Sequence, residues 1–163
     1  MVFSCGDNRL GQLGLGVHSA PVNTPQLIEG LENVKYVDCG AFHSLALSND
    51  GTLYTWGSNR NGQCGQTASD LSFPTLVDIG GAGENGDVID VVQACCGSEH
   101  TIALTSQGVW LSGSNGLGQL GLPEEKMVEE FKLNKIVGEV MGTRSKPSEW
   151  MIKCGRWHTF VWD

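Results

Sequence analysis

Basic residues are scarce in the first three-quarters of this 163-residue chain: residues 1 to 121 hold 3 Lys or Arg against 11 Asp or Glu. Residues 122 to 163 hold 7 of each sign, and the net charge is −8. Nucleic-acid binding draws on clustered cations that neutralise phosphates, so the acidic body argues against such a partner and toward a protein, with a basic surface as the complement. A solvated acidic face with no partner is the alternative reading. No run of 18 apolar residues is present, which excludes a membrane-spanning helix. The opening Met1-Val2-Phe3-Ser4-Cys5-Gly6 lacks the basic head and apolar core of a signal peptide, and no Asn-x-Ser/Thr acceptor occurs. These absences predict an intracellular protein, cytoplasmic or nuclear, whose six cysteines are reduced. Also missing are C-x-x-C, G-x-S-x-G, the P-loop and H-E-x-x-H, so zinc, hydrolase and nucleotide chemistry have no foothold. The expectation is a chain that is not an enzyme and has no metal or cofactor.

What the chain does have is repetition. Gly6-Asp7-Asn8-Arg9-Leu10-Gly11-Gln12-Leu13-Gly14 returns as Gly57-Ser58-Asn59-Arg60-Asn61-Gly62-Gln63-Cys64-Gly65 and as Gly113-Ser114-Asn115-Gly116-Leu117-Gly118-Gln119-Leu120-Gly121. A second phrase runs out of phase with it: Cys39-Gly40-Ala41-Phe42-His43-Ser44, Cys96-Gly97-Ser98-Glu99-His100-Thr101 and Cys154-Gly155-Arg156-Trp157-His158-Thr159. Copies recur roughly every 50 to 60 residues, the period of a solenoid, propeller or array.

Between the phrases the pattern is strand-like. Residues 26 to 28, 34 to 39, 43 to 48 and 52 to 57 read as four strands, A to D, with the hairpin turn Asn49-Asp50-Gly51 before the last. The next unit repeats the order at 75 to 79, 88 to 96, 100 to 105 and 109 to 112. The last unit offers B at 150 to 154 and C at 158 to 162 but no D strand, whereas the first strand, Val2-Phe3-Ser4-Cys5, is a D strand with no A, B or C before it. The fold class is therefore all-β, made of four-stranded antiparallel propeller blades: units of about 24 to 58, 74 to 114, and 126 to 163 completed by 2 to 6, in one partial domain. Such an N-terminal strand can close a ring and hide its edge.

These phrases resemble the repeats of the regulator of chromosome condensation family, and the likeness covers residues 2 to 121 and 150 to 162. The resemblance implies a seven-bladed propeller. Three blades cannot close a ring, since propellers run from about four to eight. Either a twofold dimer makes a six-bladed ring, each first strand completing the other chain's last blade, or the chain is a shortened form or a fragment.

Sequence alone treats the recurring His43, His100 and His158 as structural, each at the mouth of a C strand beside a hydroxyl residue; one blade apart, they are too distant to share a metal. Cys39, Cys96 and Cys154 suit packing before a tight glycine. Two matches to G-x-G-x-x-G, Gly81 to Gly86 and Gly116 to Gly121, lack the helix a dinucleotide site needs and read as turns. The paired carboxylates Glu124-Glu125 and Glu129-Glu130 read as a solvated face.

Positions that differ between copies are free to serve a partner. Phe42, Glu99, Arg156 and Trp157 precede the histidines on blade loops, and Trp and Arg are enriched at interface hot spots; packing of Trp157 on the adjacent blade is the competing reading. Gln66 to Phe73, Gly80 to Asp87 and Pro123 to Pro147 are insertions. Within the last, Phe131-Lys132-Leu133 reads as an A strand in preference to a helix from Pro123 carrying Met127, Val128 and Phe131. The family resemblance implies a protein-interaction scaffold or regulatory subunit, with guanine-nucleotide exchange on a small GTPase as the alternative. One member type, which acts with Elongator and the diphthamide pathway, starts and ends on the same strands and partners a small zinc protein. Photoreception, which in the family uses clustered loop tryptophans, is excluded by their absence from the first two copies.

Overall fold

The computed structural model describes residues 1–80, 89–142 and 144–163. Among these described residues, twelve strands fall into four antiparallel sheets. The first pairs β1 (Phe3–Asn8) with β2 (Ser19–Leu27). The second runs in order through β3 (Val34–Cys39), β4 (His43–Ser48), β5 (Leu53–Gly57) and β6 (Leu71–Leu76). The third repeats that order with β7 (Val91–Cys96), β8 (His100–Thr105), β9 (Gly108–Ser114) and β10 (Met127–Leu133), and the fourth pairs β11 (Met151–Cys154) with β12 (Thr159–Trp162). A short helix α1 (Lys135–Met141) and one 3-10 turn (Pro147–Glu149) lie between β10 and β11.

The blades are four-stranded, as the repeats imply, but the A strand of each repeat belongs to the preceding sheet. β2 pairs with β1 through Phe3↔Leu27, and β6 pairs with β5 through Tyr54↔Leu76. The cause lies in the glycine phrase. Gly62 and Gly65, at φ +72° and +67°, turn the chain back on the D strand it has just left, so the next strand takes that strand's free edge. Complete blades are therefore B-C-D-A and span 34–76 and 91–133, while β11 and β12 form an inner half-blade and β1 and β2 an outer one. No strand pairing joins β1 to β12 among the described residues. The predicted start of the second B strand at Val88 and the insertion from Gly80 to Asp87 fall largely outside those residues. Met127, Val128 and Phe131 lie on β10, as the strand reading requires, and the last two are buried.

The helix was not anticipated. Lys135-Ile136-Val137-Gly138 is poor helix sequence; Asn134 caps it by accepting the Val137 N–H at 3.0 Å, and Val137 and Met141 pack on the core.

Burial is concentrated between sheets. β4 and β8 are buried at all six positions, because each is an interior strand of its sheet and each sheet is covered on both faces by its neighbours. Leu45, Leu47 and Leu53 of one blade pack with Ala94, Ala103 and Trp110 of the next. Ile102, Leu104 and Leu111 pack in turn with Trp150, which immediately precedes β11, and with Ile152 of that strand. Leu45 is fully buried, so Leu45→Ala should cost about 2–5 kcal/mol in urea unfolding through lost contact and the cavity left behind; a loss under about 1 kcal/mol would show that the blades do not share this core.

Candidate partner-binding site

The second repeated phrase folds the same way three times, with Gly40, Gly97 and Gly155 each donating its N–H to the carbonyl of its own histidine at 2.8 Å. In the first two copies the imidazole then reaches across to the next blade: His43 Nε2 lies 2.9 Å from Thr101 Oγ1, and His100 Nε2 lies 3.2 Å from Thr159 Oγ1. Each threonine spends its single hydrogen on a carbonyl of the glycine phrase, Thr101 on Gln63 at 2.6 Å and Thr159 on Gln119 at 2.8 Å. The threonine oxygen can only accept from the imidazole, which assigns the ring proton to Nε2. The glycines of this phrase are needed for space, since a Cβ on Gly40 or Gly97 would strike the imidazole at 2.2 or 1.8 Å.

His43 and His100 are 1% and 0% exposed, and their Nδ1 atoms have no hydrogen-bond partner among the described residues. Burial pushes His43 down to about 3 and His100 to about 4. His158 is exposed and meets Phe160 edge-on, with centroids 5.3 Å apart.

Two further sets of bonds order the loops. Ala41 N–H donates to Ser98 C=O and Ser98 N–H to Arg156 C=O, both at 3.0 Å, so successive loops lie side by side along one rim. The carbonyls of Phe42 and Glu99 accept from Ser58 and Ser114 at 2.8 Å. Their side chains are left to face outward. Phe42 is 42% and Trp157 37% exposed, Glu99 is half-buried, and the Arg156 guanidinium sits 5.3 Å from the centre of the Trp157 ring. All four predicted partner-binding residues therefore belong to one row. Trp157 also borders a crevice beside Leu117 and Gly118.

The glycine phrase forms a closed loop of its own. Asn8, Asn59 and Asn115 each accept an N–H five residues ahead, at 3.1, 2.9 and 2.8 Å, and Gln12, Gln63 and Gln119 each accept one from two residues back at 2.9 Å. Gly118 and Gly121 close turns onto Asn115 and Gly118, so the second G-x-G-x-x-G match builds turns; the first, Gly81 to Gly86, lies outside the described residues.

A concave groove of about 980 Å³, lined by β3, β7 and β11, escaped the sequence reading. Its walls carry Lys35, Lys153 and Arg156 against Asp38. Neither Lys35 nor Lys153 enters an ion pair among the described residues. Asp38 accepts the Cys96 N–H at 2.9 Å and so ties two blades together. Partial burial, with Asp38 nearby, pushes Tyr36 up to about 12. The thiol positions diverge: Cys96 is buried, Cys154 half-buried with its sulfur 2.7 Å from Cys95, and Cys39 exposed in the groove, so packing does not account for Cys39. Burial raises Cys96, and the contact with the Cys95 thiol followed by burial raises Cys154, so neither is an activated nucleophile. The signal that could have found the groove is copy-to-copy variation in the B strand, where Asp38, Cys95 and Lys153 occupy one repeat position.

The Regulator of chromosome condensation (RCC1) repeat profile matches residues 1–47 and 50–104. The chain belongs to this family. Among its relatives, the probable E3 ubiquitin-protein ligase HERC4 of Rattus norvegicus is 36% identical over 162 residues, 97% of this chain and 14% of that protein. The secretion-regulating guanine nucleotide exchange factor of Bos taurus is 35% identical over 127 residues, 75% of this chain and 26% of that protein. The crystal structure of Prp20p from Saccharomyces cerevisiae aligns with a TM-score of 0.71 at 22% identity, over 98% of this chain and 38% of that one, and supports the propeller fold. The chain thus spans about a seventh of the ligase and a quarter of the exchange factor. The expectation that the chain is not an enzyme is corrected here, because it matches ubiquitin ligases along nearly its whole length; missing motifs in one segment do not describe the proteins that carry such segments.

A buried imidazole that stays neutral makes stability pH-dependent. With the folded value near 3 and the unfolded one near 6.5, only the unfolded chain takes up the proton as pH falls below 6.5. His43 should therefore cost roughly 1–2 kcal/mol between pH 6.5 and 5, with His100 adding in the same direction. Thermal melts at pH 7.5, 6 and 5 should fall steadily, and His43→Gln should flatten the trend; equal slopes in both proteins would refute the assignment.

Proposed function

We propose that this chain is a protein-recognition module of the RCC1 type, reading its partner through Phe42, Glu99, Arg156 and Trp157. The reading rests on one observation: in the first two copies these loops spend their backbone groups on the blade ladder and leave outward the side chains that differ between copies. Invariant positions hold the scaffold; variable ones face the partner. The partner is a protein, and recognition takes place in the cytoplasm or nucleus. By analogy with the HERC4 relative, the module would select proteins for a ligase. A second reading, guanine-nucleotide exchange on a small GTPase, is favoured by the exchange-factor relative and by Prp20p, which binds Gsp1p and histones.

An exposed Trp stacked by Arg is hot-spot chemistry, and truncation of such a residue costs about 2 kcal/mol or more. Trp157→Ala should weaken a partner isolated by affinity capture roughly 30-fold in titration calorimetry without lowering the melting temperature. Unchanged affinity would remove the loop row from the interface. Release of a fluorescent GDP analogue from a panel of small GTPases decides the second reading: acceleration by the chain supports exchange, and unchanged rates refute it.

A further inference from the structure

Two joints between inner strands line the groove, β3 with β7 and β7 with β11, and they differ where the repeat leads one to expect the same contact. In the first joint Asp38 of β3 accepts the N–H of Cys96 from β7 at 2.9 Å. In the second, the repeat position of Asp38 is held by Cys95 and that of Cys96 by Cys154. The contact there runs through sulfur. Cys95 Sγ stands 2.7 Å from Cys154 Sγ, which also lies 3.5 Å from the Cys95 carbonyl.

The strands that carry these thiols are pinned on both sides of the pair. Before it, the Gln93 amide donates to the Trp150 carbonyl at 3.2 Å and accepts the Ile152 N–H at 3.3 Å. Beyond it, Ser98 N–H donates to the Arg156 carbonyl at 3.0 Å, and His100 Nε2 lies 3.2 Å from Thr159 Oγ1. With the strands so held, the sulfurs need approach only from 2.7 Å to the ~2.0 Å of a covalent bond. Both residues line the 980 Å³ groove and Cys154 is half-buried, so a small solute in the groove reaches the pair. Cys39 opens on the same groove, but its sulfur accepts from the Ser44 hydroxyl at 3.9 Å.

We infer that Cys95 and Cys154 are an oxidisable pair, closed by a peroxide into a disulfide that staples the second complete blade to β11. One thiol gives up its proton, and the thiolate attacks a peroxide oxygen; a sulfenic acid forms, and the hydroxide released takes up that proton as water. The other thiol then attacks the sulfenic sulfur, the sulfur–sulfur bond forms, and the sulfenic hydroxyl leaves as a second water with the attacking thiol's proton. Two electrons pass from the thiol pair to the peroxide. Contact with the Cys95 thiol and burial hold the Cys154 thiol up and keep its thiolate scarce, so closure is slow, on the order of minutes to hours. The bond fixes the loop carrying Glu99 against the loop carrying Arg156 and Trp157, because those loops follow directly on the two cysteines.

The test treats the full chain with hydrogen peroxide, alkylates the remaining thiols and reads cross-links by non-reducing peptide mapping in a mass spectrometer. A Cys95–Cys154 peptide pair, two hydrogens lighter than its reduced parts, is the expected product. It should persist in Cys39→Ser and vanish in both Cys95→Ser and Cys154→Ser, whose fold is checked by circular dichroism. A second readout needs no variant. The bond closes a segment of 59 positions, so the oxidised protein should melt roughly 5–10 °C higher than the same sample returned to dithiothreitol. Oxidation that joins Cys39 or Cys96 to another thiol, or stops at sulfinic acid, without forming the Cys95–Cys154 pair overturns the proposal. So do two free thiols at Cys95 and Cys154 in a sample whose exposed Cys39 has been oxidised, or a pair whose formation leaves the melting temperature unchanged.

Discussion

The rest of this structure depends on a three-part relay that crosses from blade to blade: an imidazole Nε2–H, a threonine hydroxyl, and a glutamine backbone carbonyl of the glycine phrase. Each part satisfies the next, and it lies in a boundary where water is shut out. An unmade bond there would cost the desolvation of a buried polar group, so the relay admits few arrangements of adjacent sheets. Apolar contacts between Leu45, Leu47 and their neighbours supply most of the attraction but tolerate sliding. The relay supplies the alignment.

Much of this was legible from residue types. Repetition of Gly-x-x-His beside Ser or Thr put an imidazole next to a hydroxyl in every copy, and the alternation around it marked strands. What one chain's periodicity cannot show is which neighbour a strand chooses. The A strands are legible only in part, 26 to 28 and 75 to 79 overlapping the ends of β2 and β6, and the blade each joins is not legible, because their partner is decided by the backbone of the glycine phrase, whose left-handed residues reverse the chain. The helix at Lys135–Met141 was hidden for a related reason. Its propensity is low, and it exists through the Asn134 cap and the packing of Val137 and Met141.

The candidate site divides in the same manner. The loop residues Phe42, Glu99, Arg156 and Trp157 were visible as variation inside an otherwise repeated phrase, while the groove was not, since Lys35 and Asp38 of β3 and Lys153 of β11 are brought together only by the curvature of the arc. Charge read along the chain also misled about charge in space. The body is acidic overall, yet the concave wall carries three cations against one carboxylate. A partner that enters the groove meets a different potential from one that approaches the outside, so net charge is a poor guide to which partner binds.

The relay has a direction. Every blade offers an imidazole forward and a hydroxyl backward, and the rim ladder runs with the same polarity, donor to acceptor, from Ala41 to Ser98 to Arg156. A surface built this way cannot pair with itself face to face: two imidazoles would meet two imidazoles, and the ladder would set donor against donor. It can be continued only by an element of the same polarity entering at the next position of the arc. Each step along the arc must therefore supply a D-type strand ending in a left-handed glycine, followed one blade on by a hydroxyl already engaged with a carbonyl, as Gly57 and Thr101 do. Those requirements are stricter than hydrophobicity, which any apolar surface would meet.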